Sequence, residues 1–400
     1  MSSAFPKKQT ISTVKKVFFF LLLTIFCLNV HANSLRPPFF IDVNTEYGRV
    51  LNTHRFISDI PSYRAVSLRV ARAASGRSWQ DFAFNMPFFG IGFYVPYFEN
   101  NPGLGRPFSL YFFRGSTIRQ FTNNFGLIWE LNTGLSMNWN RHDPVDNPQN
   151  ITIGSSNNVH IGLGFFLEYN LARHFDLKFG AKFNHFSNGA VRMPNGGINT
   201  TALSFSTAYN INPPNRGYLL RNPPLATPRM PHRIDHEMSF IFSTRQVERL
   251  ESTFPSRFVD HNFMVAGLSY SPKFVLNYRY KVGPFVRVIY DESSRANARR
   301  EQRDDGQRFY RIEKADFTDR LSVGLGVSVE KSLPIVSFFG KLGYSFYHRH
   351  HSDLAFFQTI GVKANLTDNL FGTFGVSSTR FRIAQFFYWS VGYRIPTRAR

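Results

Sequence analysis

The sequence predicts an all-β protein, an antiparallel transmembrane β-barrel with a best count of sixteen strands, within a range of twelve to sixteen. Segments of about ten residues alternate large apolar side chains with Gly, Ser or charged residues, the pattern of a barrel with an apolar outer face and a polar lumen. Phe and Tyr are abundant, at 45 and 17 of 400 residues. No run of about 20 apolar residues follows the N-terminal segment, so a helical membrane protein is disfavoured.

The N-terminal segment has the features of an export signal. Lysines precede the apolar run Val17–Leu28, and Ala32 ends a plausible cleavage site. We therefore predict a signal peptide over residues 1–32. Cys27 is the only cysteine in the sequence, so its removal with the signal would exclude disulfides and a cysteine nucleophile.

The alternating segments follow one another with short and long connections in turn. A soluble β-sandwich also alternates, but these strands carry large aromatics on one face, which favours the transmembrane barrel. Short turns are predicted at Asn170–Arg173, Pro272–Lys273, Ser332–Leu333 and Asp368, and long outer loops at 141–156 and 292–316. The predicted strands span about 39–49, 63–74, 88–97, 106–115, 123–138, 159–169, 174–183, 200–211, 235–244, 261–272, 274–291, 317–331, 334–348, 354–366, 369–379 and 384–396.

A Pro-rich segment at 212–234 interrupts this order where a short turn is expected. Proline cannot donate to a strand ladder, so the segment is a loop or a linker between 33–211 and 235–400. It is either a loop of a single large barrel or a boundary between two smaller units. We expect the single barrel, since closing one sheet removes every free edge.

The net charge of +21 indicates an anionic partner. Anionic lipid or a phosphorylated glycolipid suits a basic exported protein. Aromatic residues interleaved with Arg fit a barrel better than a nucleic-acid platform, so no nucleic acid is expected as a partner. The sequence has no phosphate loop, zinc-protease motif or nucleotide fingerprint, and we expect neither a cofactor nor a metal.

The stretch 183–199 carries the strongest chemical signal. His185 and Ser187 lie two residues apart at the end of a predicted strand, so their side chains share one face, roughly 7 Å apart. An imidazole within hydrogen-bond reach of a hydroxyl is the first requirement of an activated serine. Phe175 and Phe183 belong to the same odd-numbered, lipid-facing series, so the pair is predicted to point towards the bilayer.

Asn199 directly precedes the following predicted strand and belongs to the outward-facing, odd-numbered series of that strand. Antiparallel pairing would bring it beside Ser187 or His185. Polar groups are disfavoured on a lipid face, so an outward Ser, His and Asn form a candidate catalytic cluster. The alternative is an ordinary strand-end turn at the membrane interface.

The motif resembles that of the lipid A 3-O-deacylase (PagL) family, which carries His-x-Ser-Asn near the end of one strand and an acidic residue on the next. Asn184–Ala190 and Pro194–Asn199 carry the resemblance, which extends over roughly 78–211. It implies Ser187 as nucleophile, His185 as general base and Asn188 in the oxyanion hole. The acidic position is occupied by Asn199, which can orient the imidazole but cannot stabilise its cation by charge.

The resemblance implies an outer-membrane serine esterase that removes an ester-linked acyl chain from lipid A. Its partner would be lipopolysaccharide in the outer leaflet of a Gram-negative bacterium, met by an active site at the external rim. Arg192 is a candidate for pairing with a lipid A phosphate. The rival hypotheses are a pore or transporter and a catalytically silent structural barrel. The sequence does not indicate the oligomeric state.

Overall fold

The structure is a computed structural model in which sixteen of the described strands pair in closed antiparallel barrels, which confirms the fold class and the strand count. Residues 1–32, the predicted signal peptide, lie outside the described residues. No helix in the described part of the chain is long and apolar enough to cross a membrane. The described residues are 38–51, 62–99, 101–213, 215–230, 232–247, 261–302, 308–333, 336–348, 355–381 and 383–397.

The first eight strands close into one barrel, called barrel 1. Exposed and buried positions alternate along them, as the sequence predicts for a lipid-facing and a lumen-facing side. β1 pairs with β8 from Phe40–Asn210 to Leu51–Asn199, so the sheet has no free edge. The elements are β1 (Phe39–Leu51), β2 (Tyr63–Ala73), α1 (Trp79–Ala83), β3 (Phe88–Phe98), β4 (Gly105–Gln120), β5 (Phe125–Trp139), β6 (Asn158–Ala172), β7 (Phe175–Ser187) and β8 (Ile198–Asn210).

A second set of eight strands closes into barrel 2, in which β9 pairs with both β10 and β18. Helix α2 (Arg216–Arg221) lies in the connection between the barrels. The strands in this part of the chain, of which eight form the barrel, are β9 (Ile234–Arg245), β10 (Phe263–Val275), β11 (Tyr280–Asp291), β12 (Asn297–Gln302), β13 (Arg308–Glu313), β14 (Leu321–Lys331), β15 (Val336–Tyr347), β16 (Phe356–Asn365), β17 (Leu370–Thr379) and β18 (Ile383–Pro396). Of these, β12 and β13 form a separate hairpin.

Charged side chains fill the lumen of barrel 1. Arg69 donates to both carboxylate oxygens of Asp42, at 2.8 and 2.7 Å, and to Glu130 at 2.6 Å. Lys182 donates to Glu46 at 2.6 Å. An eight-stranded barrel has an interior just wide enough for side chains, so this lumen is a packed core rather than a channel.

The lumen of barrel 2 holds a compact network of two acids and two lysines. Lys273 lies 3.0 Å from Glu237, and Lys363 lies 2.8 Å from Glu330. Lys273 also pairs with Glu330 and Lys363 with Glu237. A pore was the rival hypothesis because sixteen strands in one ring would enclose water. Two filled eight-stranded lumens give that hypothesis no support.

The expectation of a single large barrel is wrong. The Pro-rich connection joins two closed barrels, and α2 packs at the end of barrel 1 that carries the turn 121–124, where Arg216 pairs with Glu168. The alternation has the same period of two in every strand and therefore does not say which strands pair. Closure at β8 depends on the long-range pairing with β1.

Two further expectations need correction. Pro272–Lys273 is not a turn, because β10 runs through it and the turn follows at 276–279. Pro272 keeps its place opposite His236 of β9, while the ladder to β11 is interrupted between Tyr270 and Phe274. The missing N–H of proline therefore falls in the interrupted ladder. The 292–316 loop is long, as predicted, but contains the β12–β13 hairpin.

The barrels contact each other at both ends. We call the end with the 188–197 loop the upper end and the end with the turn 121–124 the lower end. At the lower end Trp79 of α1 packs on Tyr278 with ring centroids 4.7 Å apart, and Trp129 meets Phe338 edge to face. At the upper end, Gln246 of barrel 2 binds the 188–197 loop.

Candidate active site

His185, Ser187 and Asn199 form one hydrogen-bonded chain at the upper end of barrel 1. The His185 Nε2 atom lies 2.8 Å from Ser187 Oγ, and Nδ1 lies 2.7 Å from Asn199 Oδ1. With the proton on Nδ1, the ring donates to the amide oxygen and accepts the serine O–H. This is the geometry of a nucleophile, a base and an orienting group.

The strand register produces this arrangement. His185 pairs directly with Asn199 across β7 and β8, which resolves the two neighbours that the sequence allowed for Asn199. Lys182 and Asn184 point into the lumen and are buried, while Phe179 and Phe183 are exposed on the outer face. His185 and Ser187 continue the odd-numbered series, so their side chains belong to the outer face.

The 188–197 loop is held by its own asparagines. The Asn188 backbone N–H donates to Asn195 Oδ1 at 3.0 Å, and Asn188 Nδ2 donates to the carbonyl oxygen of Arg192 at 2.8 Å. The predicted oxyanion residue therefore uses one side-chain N–H and its backbone N–H inside the loop. The side chain of Arg192 is exposed to solvent.

Asn195 is a candidate that the sequence reasoning missed. Its Nδ2 atom is buried and has no hydrogen-bond partner in the described part of the structure, while its Oδ1 accepts from the residue that follows Ser187. A buried amide donor without a partner costs free energy, typically about 1–3 kcal/mol, unless a ligand satisfies it. Asn195 lies within the motif that carries the resemblance, which was the available signal.

Two glycines shape the loop. Gly197 has a φ of +69°, and a Cβ there would lie 3.1 Å from His185 Cε1. Gly189 has a φ of +61°, and a Cβ there would lie 2.5 Å from the ring of Phe387 in barrel 2. Both positions combine a left-handed backbone with close packing, so glycine is required at each.

Barrel 2 contributes directly to the same loop. The Gln246 backbone N–H donates to the carbonyl oxygen of Ala190 at 2.7 Å. The Gln246 Oε1 atom accepts from the backbone N–H of Met193 at 3.0 Å. These contacts join segments more than 50 residues apart on different barrels, and no sequence pattern indicates them.

Comparison with known proteins agrees with this geometry. Residues 66–208 match the family model of the lipid A 3-O-deacylase (PagL), and residues 236–397 match that of the acyloxyacyl hydrolase C-terminal domain. Together the two matches cover more than half of the chain. The chain belongs to the PagL lipid A 3-O-deacylase family. As a member of this family it is an outer-membrane β-barrel, and membership supports a lipid A deacylase, an ester hydrolase, as its general class.

Solved structures resemble the chain more distantly. The outer membrane enzyme PagL is 17% identical, with 41% of this chain and 97% of that chain covered and a TM-score of 0.29. Neisserial surface protein A (NspA) is 12% identical, covering 44% and 99%, with a TM-score of 0.28. The Ralstonia pickettii toluene transporter TbuX is 11% identical, covering 92% and 90%, with a TM-score of 0.18. No curated protein matches the chain.

Proposed function

We propose that this PagL-family protein is a serine esterase that removes the ester-linked 3-O-acyl chain of lipid A in the outer leaflet of a Gram-negative outer membrane. The observation that carries the proposal is the hydrogen-bonded chain from Ser187 through His185 to Asn199, with distances of 2.8 and 2.7 Å. Its position on the outer face suits a substrate that stays in the bilayer.

The reaction follows from the roles of the three side chains. Ser187 Oγ attacks the acyl carbonyl carbon while His185 Nε2 takes the hydroxyl proton. When the tetrahedral intermediate collapses, the sugar oxygen leaves and takes that proton from His185. Water then attacks the carbonyl carbon of the acyl-enzyme while His185 takes one of its protons. Collapse of this second intermediate expels Ser187 Oγ, which takes that proton from His185, and the free fatty acid is released.

The oxyanion of the intermediate needs donors beside Ser187. Asn195 Nδ2 is buried and unpartnered in the described structure, and its amide is oriented by the Asn188 N–H. We assign Asn195 as an oxyanion donor, with Asn188 supporting it through the loop and through the remaining hydrogen of its own amide. Arg192 is exposed on the same loop, where it is free to pair with a lipid A phosphate.

The second candidate function is an esterase of reduced activity, because Asn199 stands where the family has a carboxylate. A carboxylate only accepts hydrogen bonds, so it forces the proton onto Nδ1 of the histidine and stabilises the imidazolium by charge. An amide can also present its NH₂ group to Nδ1, which favours the unproductive tautomer. The Asn199 amide therefore supports a slower reaction than the family's carboxylate would.

Mass spectrometry of lipid A tests the proposal. In cells that express the wild-type protein we expect lipid A to lose one ester-linked acyl chain, and with Ser187→Ala we expect it to stay intact. Thr207→Ala is the matched control, because it removes an exposed hydroxyl from the outer face of β8 away from the loop. Folding of each variant is checked by heat-dependent migration in gels. Identical lipid A in wild-type and Ser187→Ala cells would overturn the proposal.

A further inference from the structure

A polar cavity of about 160 Å³ lies between the two barrels at the lower end. Thr117 and Trp129 of barrel 1 form one wall, and Arg279, Lys331 and Leu333 of barrel 2 form the other. A single water occupies about 30 Å³, so the space holds a larger group. It lies at the opposite end of the molecule from Ser187.

Two cations, Arg279 and Lys331, line this cavity, and a third, Arg114, lies close enough for its charge to act on Lys331. Lys331 Nζ lies 3.7 Å from the ring centroid of Trp129, and the charges of Arg279 and Arg114 act on the same lysine. Arg114 projects from the outer face of β4 but is only 4% exposed. None of the three cations has an acidic partner among the described residues, in contrast to the paired lysines of both lumens.

Two donors without partners lie in the cavity wall, at Thr117, and beside it, at Arg114. Arg114 Nε and Thr117 Oγ1 are buried and make no hydrogen bond within the described structure. Trp129 is fixed in place, because its indole N–H donates to Ser116 Oγ at 2.8 Å. Like charges repel and buried donors without partners are costly, so an anion with several oxygens would satisfy the whole group.

We propose that this cavity binds the phosphate group of a phospholipid headgroup. Arginine and lysine are the usual partners of phosphate oxygens, and the site opens on the outer faces of two membrane barrels. Tryptophan and tyrosine are enriched at the headgroup level of membrane proteins, and both Trp129 and the half-exposed Tyr280 line this cavity. The acyl chains would lie along the exposed apolar faces beside the cavity, in the leaflet away from the esterase site.

Native mass spectrometry of the full-length protein in detergent tests the proposal. The probes are dimyristoyl phosphatidylglycerol, dimyristoylglycerol and inorganic phosphate. We expect one equivalent of phosphatidylglycerol to bind the wild type, and the Arg279→Gln/Lys331→Gln variant to bind it at least about tenfold more weakly. Arg141→Gln, which removes an exposed arginine at the upper end, is the control and is expected to bind as the wild type does.

The remaining probes identify the source of the phosphate. Dimyristoylglycerol is expected to bind the wild type and the double variant equally weakly. Equal affinity of the wild type and the double variant for phosphatidylglycerol would overturn the proposal that the cavity is the binding site. Inorganic phosphate that binds as tightly as the lipid would overturn the headgroup assignment. Because Arg279 and Lys331 are partly exposed, their replacement leaves the packed lumens intact, and gel migration verifies the fold.

Discussion

The backbone N–H of Gln246, the first residue after β9, donates a hydrogen bond of 2.7 Å to the carbonyl oxygen of Ala190. Its side-chain Oε1 accepts from the Met193 N–H, so one residue of barrel 2 holds two points of the 188–197 loop. Phe387 of barrel 2 packs on Gly189 of the same loop. The second barrel therefore helps to position the candidate active site.

Replacing Gln246 tests this support. Gln246→Ala keeps the backbone bond but removes the acceptor for Met193, and we expect kcat to fall about five- to tenfold, the equivalent of one lost hydrogen bond. Gln246→Glu keeps the acceptor for Met193 and loses only the bond from Nε2 to Asn262 Oδ1, so it is expected to stay nearer the wild-type rate than the alanine variant. Deacylation of purified lipid A by each folded variant is measured. A fully active Gln246→Ala would show that the side-chain bond to Met193 does not position the loop.

Asn199→Asp is expected to raise activity. The aspartate is isosteric with asparagine, so the 2.7 Å contact to His185 Nδ1 is preserved while its partner becomes an acceptor with a negative charge. Loss of the equivalent carboxylate costs a serine protease about 10⁴ in kcat, so a gain of at least about tenfold is expected here. The rate of acyl release measures it, with Asn199→Ala as the variant expected to fall below wild type. An aspartate variant no faster than wild type would show that charge at this position is not limiting.

Asn195 is expected to contribute through its side-chain N–H. Asn195→Ala should lower kcat by about 10²–10³, the usual effect of losing one oxyanion donor. Asn195→Asp retains an acceptor for the Asn188 N–H and replaces the donor by an oxygen. It should therefore be as slow as the alanine variant. If the aspartate variant kept wild-type kcat, Asn195 would only hold the loop, by accepting the hydrogen bond from the Asn188 N–H.

Gly197 is expected to tolerate no side chain. In Gly197→Ala the new Cβ lies 3.1 Å from His185 Cε1 at a φ of +69°, so the ring must shift. We expect about a tenfold or larger loss of kcat and roughly 1–2 kcal/mol of lost stability. Gly340→Ala is the control, because a Cβ there meets nothing within 4 Å. Urea unfolding and lipid A deacylation separate the two effects, and a Gly197→Ala variant with wild-type kcat would contradict the expected ring shift.

Local patterns predicted much of the fold and the neighbourhood of the site. The period of two along β7 placed His185 and Ser187 on the outer face, and the same period in β8 brought Asn199 close to them. A proline suggested a turn at 272, but proline also fits a strand where a ladder is interrupted. Side-chain alternation alone could not separate these two cases.

Long-range contacts could not be predicted in the same way. Nothing in the period of β8 indicates that it pairs with β1, and so two barrels could not be distinguished from one. The support from Gln246 depends on that closure, since it joins loops of separate barrels. Asn195 was visible in the motif, but its unpartnered amide becomes apparent only when the loop is folded.

The pairing of β1 with β8 also changes how the connection between the barrels should be understood. Because barrel 1 is already closed, the connection from β8 to β9 is a covalent link between two sheets rather than a strand-to-strand loop within one. A covalent connection raises the effective concentration of two folded units, to the millimolar range for short flexible linkers, and the packing of α2 on barrel 1 restricts this connection further. Barrel 2 therefore needs only a few weak contacts, such as those of Gln246 and Phe387, to stay beside the 188–197 loop.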